Sequence, residues 1–180
     1  MRIFFAGCLI ALNLYGCERK TIYQVSDLTA EHLFTSNIEG PAWKDGYLYV
    51  VNFGKDGTIG RVNEKGEVEL FALLPEGSTA NSIRFNSAGD MLLADFTGHN
   101  ILKIELETRA VSVFAHDSAF NQPNDMALNA RGQIFATDPE WKNGTGNLWR
   151  IDPDGSIHLL ADSLGTTNGI ALSPDGYTIY

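Results

Sequence analysis

Short apolar segments recur along the chain at a nearly constant interval. The segments at 47–51, 91–94 and 134–137 each follow a glycine and end at a polar residue, with the closing residues 43 positions apart. These closing residues are Asn52, Asp95 and Asp138. Upstream of the later glycines, similar stretches begin at Asn81, Asn124 and Asn168. The chain is therefore built from a repeated unit of about 43 residues.

Each unit has the pattern of four short β-strands joined by turns. The first strand carries alternating apolar residues, such as Ile83 and Phe85, and the second is the apolar segment. Runs at 101–104 and 111–114 supply a third and a fourth strand. No helical period is present outside the N-terminal segment. Four strands in a repeat of this length are typical of a propeller blade, so the pattern predicts an all-β fold, a β-propeller of four-stranded blades.

The number of repeats bears on the completeness of the ring. The chain holds about four units, and the last one stops within a strand at Tyr180. Propellers close into rings, usually of four to eight blades, and an open arc leaves strand edges unpaired. We therefore expect this chain to be about the first four blades, with a propeller over 31–180 that is incomplete at its C-terminal end.

The N-terminal segment has the pattern of an export signal. Arg2 precedes an apolar run at 3–15, which is shorter than the roughly 20 residues of a membrane-spanning helix. The sequence Leu14-Tyr15-Gly16-Cys17 resembles a bacterial lipobox, although Tyr15 is bulkier than the residue usual at that place. We predict a lipoprotein-type signal peptide at 1–16, lipidation of Cys17 and a tether at 17–30. The lipid would anchor the protein in the bacterial cell envelope, at its periplasmic or extracellular face. An ordinary cleaved signal is the alternative.

Charge and cysteine content narrow the function classes. The chain has 22 Asp and Glu residues against 13 Lys and Arg, and its formal net charge is −9. A nucleic-acid groove needs Lys and Arg to displace counterions from phosphates, so no nucleic-acid partner is expected. Because Cys8 would leave with the signal and Cys17 would carry lipid, no cysteine remains for a disulfide in the mature domain.

The strand directions predict a polar ring at one mouth of the propeller channel, here called the top face. If the first strand of each blade lines the channel and descends from this face, the residues at the mouth are Glu39, Asn81, Asn124 and Asn168. The residues that close the second strands lie on the same face, farther from the axis. Converging carboxylate and amide oxygens suit a hard cation such as Ca²⁺ or Mg²⁺. A turn role is the alternative for any one asparagine, and the four histidines show no metal-ligand spacing.

Three sequence elements carry a family resemblance. They are Asn37-Ile-Glu-Gly-Pro-Ala-Trp43, Gln122-Pro-Asn-Asp125 followed by Ala136-Thr-Asp-Pro139, and Thr167-Asn-Gly-Ile170 followed by Leu172-Ser-Pro-Asp-Gly176. In this order they resemble the SMP-30/gluconolactonase/LRE family, also called regucalcin-like, whose members are six-bladed propellers. The resemblance runs from about residue 30 to the end of the chain.

The resemblance implies a metal site and a reaction. It matches Glu39 and Asn168 to metal ligands, and Asn124 to a residue that faces both metal and substrate. It also implies an aspartate beyond Tyr180 as a further ligand and acid/base, so the catalytic residue is not identified within this chain. The expected cofactor is a divalent cation, calcium first, with magnesium, manganese and zinc as alternatives. Members of this kind open lactones, and the partner would be a small-molecule lactone or ester.

Substrate contacts are expected on the top face. The residues proposed for them are Asn81, Asn124, Asp138 and Trp141. Trp141 lies in an insertion at 138–146 that lengthens the third repeat, and loops on a rigid scaffold commonly carry specificity. A surface tryptophan in a turn-rich insertion is the alternative for Trp141. The sequence does not indicate an oligomeric state.

Two functions remain open at this point. The first is a metal-dependent hydrolase that opens a lactone of the sugar-lactone type at the channel mouth of a lipid-anchored propeller. The second is a non-enzymatic, lipid-anchored propeller that binds a ligand or protein partner and holds calcium as a structural ion.

Overall fold

The computed structural model describes residues 25–180, which contain twelve β-strands. In chain order they are β1 (Ala42–Lys44), β2 (Tyr47–Val51), β3 (Thr58–Asn63), β4 (Val68–Leu73), β5 (Ala80–Phe85), β6 (Met91–Asp95), β7 (Asn100–Ile104), β8 (Val111–His116), β9 (Met126–Leu128), β10 (Ile134–Asp138), β11 (Asn147–Ile151) and β12 (Ile157–Ala161). The predicted signal peptide and Cys17 lie outside the described residues. Within 25–180, no helix has the length and apolar character of a membrane span.

The strands form three sheets of four antiparallel strands each, and each sheet follows the order of the chain. Blade 1 contains β1–β4, blade 2 contains β5–β8, and blade 3 contains β9–β12. After blade 3, Leu172 and Ile179 form an antiparallel bridge, and Ala171 and Tyr180 exchange two backbone hydrogen bonds. The prediction of an all-β fold with four-stranded blades is confirmed, and the fourth unit is present as this paired beginning.

The second strands of blades 2 and 3 are buried along their whole length, which explains why they are largely apolar, whereas the first two residues of β2 are half-buried. In β6, Met91 and Leu93 pack into a core shared with blade 1, whereas Leu92 and Ala94 pack into a core shared with blade 3. A third cluster, with Phe135 and Ile170 among its members, joins blade 3 to the start of the fourth unit. Because side chains alternate between the faces of a strand, one short segment fastens a blade to both neighbours.

The repeated glycines occupy the turns between first and second strands. Gly89 and Gly132 have φ angles of 93° and 78°, values that residues other than glycine rarely adopt. In the first of these turns the Asn86 side-chain oxygen accepts a hydrogen bond from the Asp90 backbone N–H, at 2.9 Å. These turns send the second strand back toward the top face, where the predicted site residues lie.

Candidate functional site

Glu39 is placed by an unusually close approach of two blades. The next residue, Gly40, has a φ of 46°, and a Cβ atom there would lie 2.4 Å from the Ser82 Cα atom. The Gly40 carbonyl accepts a hydrogen bond from the Ile83 N–H at 3.1 Å. Only glycine fits this contact, which holds the exposed Glu39 side chain beside the first strand of blade 2.

Glu39 and Asn81 share a cleft on the top face. Asn81 lies between Ala80 and Ser82, where the register of β5 against β6 shifts. Such a bulge redirects a side chain relative to the regular strand. The cleft has a volume of about 360 Å³ and is lined by Ser36, Asn37, Ile38, Glu39, Asp56, Thr79, Asn81, Phe96 and Thr97. The structure thus brings these two predicted residues together.

Asn124 and Asn168 form a second pair, joined through Thr137 on β10. The Asn124 N–H donates to the Thr137 carbonyl at 2.9 Å, and the Thr137 hydroxyl donates to the Asn168 carbonyl. Asn124 is 2% exposed, and its Oδ1 atom is buried without a hydrogen-bond partner among the described residues. Asn168 is exposed. No hydrogen bond or salt bridge between described residues links this pair to Glu39 or Asn81.

Asp125 is a positioning residue that lies in one of the quoted motifs but for which the sequence predicted no role. Its Oδ1 atom accepts a hydrogen bond from the Arg84 guanidinium of blade 2, and its Oδ2 atom accepts one from the Ile170 N–H at 3.2 Å. One carboxylate therefore links blade 2, blade 3 and the start of the fourth unit. The available signal was a charged residue directly before the first strand of blade 3, at the position that Ser82 holds in the preceding repeat.

The residues that close the second strands have a structural role, which corrects the expectation that Asp138 contacts substrate. Asp138 is fully buried, and its carboxylate accepts hydrogen bonds from the backbone of Asn121 and Gln122 and from the Trp149 indole. Asp95 is equally buried and accepts four hydrogen bonds. Both carboxylates hold the loop that leads into the first strand of their own blade, because they accept from N–H groups at Thr79, Asn121 and Gln122 that have no other acceptor among the described residues.

Trp141 lies in the insertion of blade 3 and is 46% exposed. The insertion is held by a hydrogen bond from the Gly144 N–H to the Glu140 carbonyl at 2.8 Å, and Thr145 forms a bridge with Gly165. The backbone N–H of Trp141 donates a hydrogen bond to the side-chain oxygen of Gln122 at 3.4 Å. The tryptophan is therefore carried on an ordered loop next to the segment that contains Asn124, and its contact with substrate stays a prediction.

The ligand chemistry available at the top face consists of amide and carboxylate oxygens. Within 25–180, no group of three or more His, Cys, Asp or Glu side chains is arranged to hold a metal ion. The candidates are one carboxylate, Glu39, and two neutral amides, Asn124 and Asn168. Oxygen donors of this kind fit a hard cation, and the unsatisfied Asn124 Oδ1 atom is suited to such a contact.

Comparison with known proteins gives one family and several similar folds. The profile of the SMP-30/Gluconolactonase/LRE-like region matches residues 38–180. A gluconolactonase from Zymomonas mobilis is 28% identical over 171 residues, an alignment that covers 79% of this chain and 47% of that protein. The chain therefore spans about half the length of this curated relative.

Two solved structures have the same blade arrangement. A gluconolactonase from Xanthomonas campestris aligns with a TM-score of 0.66 and 23% identity, covering 79% of this chain and 53% of that one. A calcium-binding regucalcin from Agrobacterium tumefaciens aligns with a TM-score of 0.65 and 20% identity, covering 79% and 49%. At these identities the likeness establishes the fold.

Proposed function

Because the chain belongs to the SMP-30/gluconolactonase/LRE-like family, we propose that it supplies the first blades of a lactone hydrolase. In this proposal the hydrolase uses a divalent cation, calcium first, at the top mouth of the propeller channel. The substrate is a small lactone of the sugar-lactone type. The family match and the gluconolactonase relative support the reaction class, and the calcium-binding relative supports the ion.

The observation that carries the proposal is the state of Asn124. Its side-chain oxygen is buried and accepts no hydrogen bond from the described residues, although buried polar atoms are normally satisfied. Asn168 is held next to it through Thr137. A cation contacted by both amides would satisfy the Asn124 oxygen, which a purely structural turn role leaves unexplained.

The proposed site residues differ in charge, and their proposed roles differ accordingly. When bound, a divalent cation polarises the lactone carbonyl and stabilises the negative charge that develops on its oxygen. Asn124 and Asn168 are neutral, so they would hold the ion without cancelling its charge. Glu39 contributes one negative charge, and Asn81 lies beside it to bind a substrate hydroxyl. The carboxylate that removes a proton from water is proposed to lie in sequence that follows Tyr180 in the full-length protein.

The direct test is hydrolysis of a sugar lactone by the full-length protein, followed as acid release. We expect activity that disappears with a chelator and returns when calcium is added, because the proposed site depends on the ion. Magnesium, manganese and zinc serve as comparison ions. Activity that is indifferent to the chelator would contradict the metal-dependent reaction, and calcium binding without hydrolysis would favour the non-enzymatic propeller instead.

We also propose that Cys17 is lipidated and anchors the protein in the cell envelope, on the basis of the lipobox-like sequence at 14–17. Metabolic labelling with a radioactive fatty acid is expected to mark the wild-type protein in a bacterial host. The Cys17→Ser variant is expected to remain unlabelled, with Cys8→Ser as the matched control. Label that persists in Cys17→Ser would contradict the anchor.

A further inference from the structure

Thr137 contacts both members of the asparagine pair, the buried Asn124 and the exposed Asn168. Its hydroxyl lies 2.5 Å from the Asn168 carbonyl and 3.3 Å from the Asp125 carbonyl, so its single proton is directed to Asn168. The same hydroxyl accepts a hydrogen bond from the Asp125 N–H at 3.1 Å. On the other side, the Thr137 carbonyl accepts from the Asn124 N–H. One buried residue, 5% exposed, therefore connects the backbones of both candidate ligands.

The hydroxyl is not required for building a blade. The residues at the corresponding position, 43 and 86 places earlier, are Ala94 and Val51, and both are apolar and buried. In blade 2 the register confirms the correspondence, since Ala94 pairs with Ser82. Among the three blades, only blade 3 has a hydroxyl at this position. Blade 3 also carries Asn124, and it is followed directly by the segment that contains Asn168. Its presence there calls for a reason beyond sheet formation.

The segment around Asn168 needs such a tether because it is not part of a regular strand among the described residues. The Ile170 N–H is held by the Asp125 carboxylate, two residues beyond Asn168. On the preceding side, the Gly146 N–H donates to the Gly165 carbonyl at 2.7 Å. The Asp125 carboxylate thus ties Ile170 to the residue that follows Asn124. The Thr137 hydroxyl adds a second contact, at the carbonyl of Asn168 itself.

We infer that Thr137 is a positioning residue that sets the placement of Asn168 relative to Asn124, and thereby the geometry of the cation site. The consequence for cation affinity depends on the proposed function, whereas the positioning itself does not. Removal of the hydroxyl frees the Asn168 carbonyl and leaves the Asp125 N–H without its acceptor. The Asn168 segment then moves more freely, and the side-chain amides of Asn124 and Asn168 no longer hold a fixed position relative to each other.

The test compares four variants of the full-length protein. Thr137→Val removes the hydroxyl with little change of shape, and Thr137→Ala introduces the residue that blade 2 tolerates at this position. Thr137→Ser keeps the hydroxyl and tests rescue. Thr58→Val is the matched control, because the buried Thr58 hydroxyl bonds only to the Phe53 and Lys55 carbonyls of its own loop in blade 1.

Two measurements separate the inference from the proposed function. Hydrogen–deuterium exchange is expected to accelerate about tenfold at the Ile170 amide in Thr137→Val and Thr137→Ala, and to stay near wild type in Thr137→Ser and Thr58→Val, as expected for the loss of one buried hydrogen bond. Calorimetric titration with calcium is expected to show an affinity about tenfold weaker in the first two variants only.

The outcomes are distinct. Wild-type exchange at the Ile170 amide in both hydroxyl-free variants would overturn the positioning role, as would equal acceleration in Thr58→Val. If the wild-type protein binds no calcium, the proposed function fails, and the exchange data still decide the role of Thr137. If Thr137→Val does not fold, Thr137→Ala decides the same question.

Discussion

Replacement of Asp138 by alanine is expected to lower the free energy of unfolding by about 3–5 kcal/mol. The carboxylate is fully buried and accepts hydrogen bonds from the Asn121 and Gln122 backbone and from the Trp149 indole at 2.8 Å. The alanine variant leaves the buried Trp149 indole and the two part-buried backbone N–H groups without an acceptor, and a fully buried group of this kind costs about 1–3 kcal/mol. Urea-induced unfolding of the full-length protein, followed by tryptophan fluorescence, measures the change.

Two further variants sharpen this test. Asp138→Asn keeps one acceptor oxygen and turns the other into a donor, so an intermediate loss of stability is expected. Asp162→Ala removes a carboxylate from an exposed position and is expected to have little effect. If Asp138→Ala instead unfolds like wild type while the KM for lactone rises, Asp138 contacts substrate and its structural role is wrong.

Replacement of Glu39 by glutamine is expected to reduce kcat/KM for a sugar lactone by about 100-fold or more in the full-length protein. Glu39 is the one carboxylate among the three proposed ligands in this chain, and glutamine keeps its shape while removing its charge. Calcium affinity is expected to fall in the same variant, because the cation loses its charged ligand. Initial rates of acid release and calorimetric titration with calcium measure both effects.

The matched control for Glu39 is Glu76→Gln, an identical change at another exposed position. Neither variant is expected to alter the unfolding midpoint by much, since both side chains are exposed. A loss of activity in Glu39→Gln together with an unchanged midpoint would therefore report on the site. Equal activity in Glu39→Gln and wild type would refute the proposed role of Glu39.

The fold was predictable because its signals are local. The sequence shows a period of about 43 residues, glycines at the turns and apolar second strands. The run at 91–94 is buried on both sides, as a strand between two neighbouring blades must be. Strand directions then follow from four antiparallel strands in sequence, and they predict Glu39, Asn81, Asn124 and Asn168 on one face.

The site was predictable only in outline. Asp138 was wrongly assigned to substrate, because a polar residue that ends an apolar strand has the same pattern whether it faces a channel or caps a buried loop. Its fully buried carboxylate shows the second case. Asp125 and Thr137 lie within the quoted motifs, but no role was predicted for either, since the groups that they contact belong to other repeats.

The sequence by itself determined the blades and their order, and it predicted one face for the candidate ligands. Turns and side-chain alternation depend on a few neighbouring residues, so the sequence of each repeat is enough to specify its own four-stranded sheet. The tertiary structure alone decided which polar groups meet between repeats: Asp125 with Arg84 and Ile170, and Thr137 with Asn168. Those hydrogen bonds depend on how closely neighbouring blades approach, and that distance is set by the packing of the cores between them.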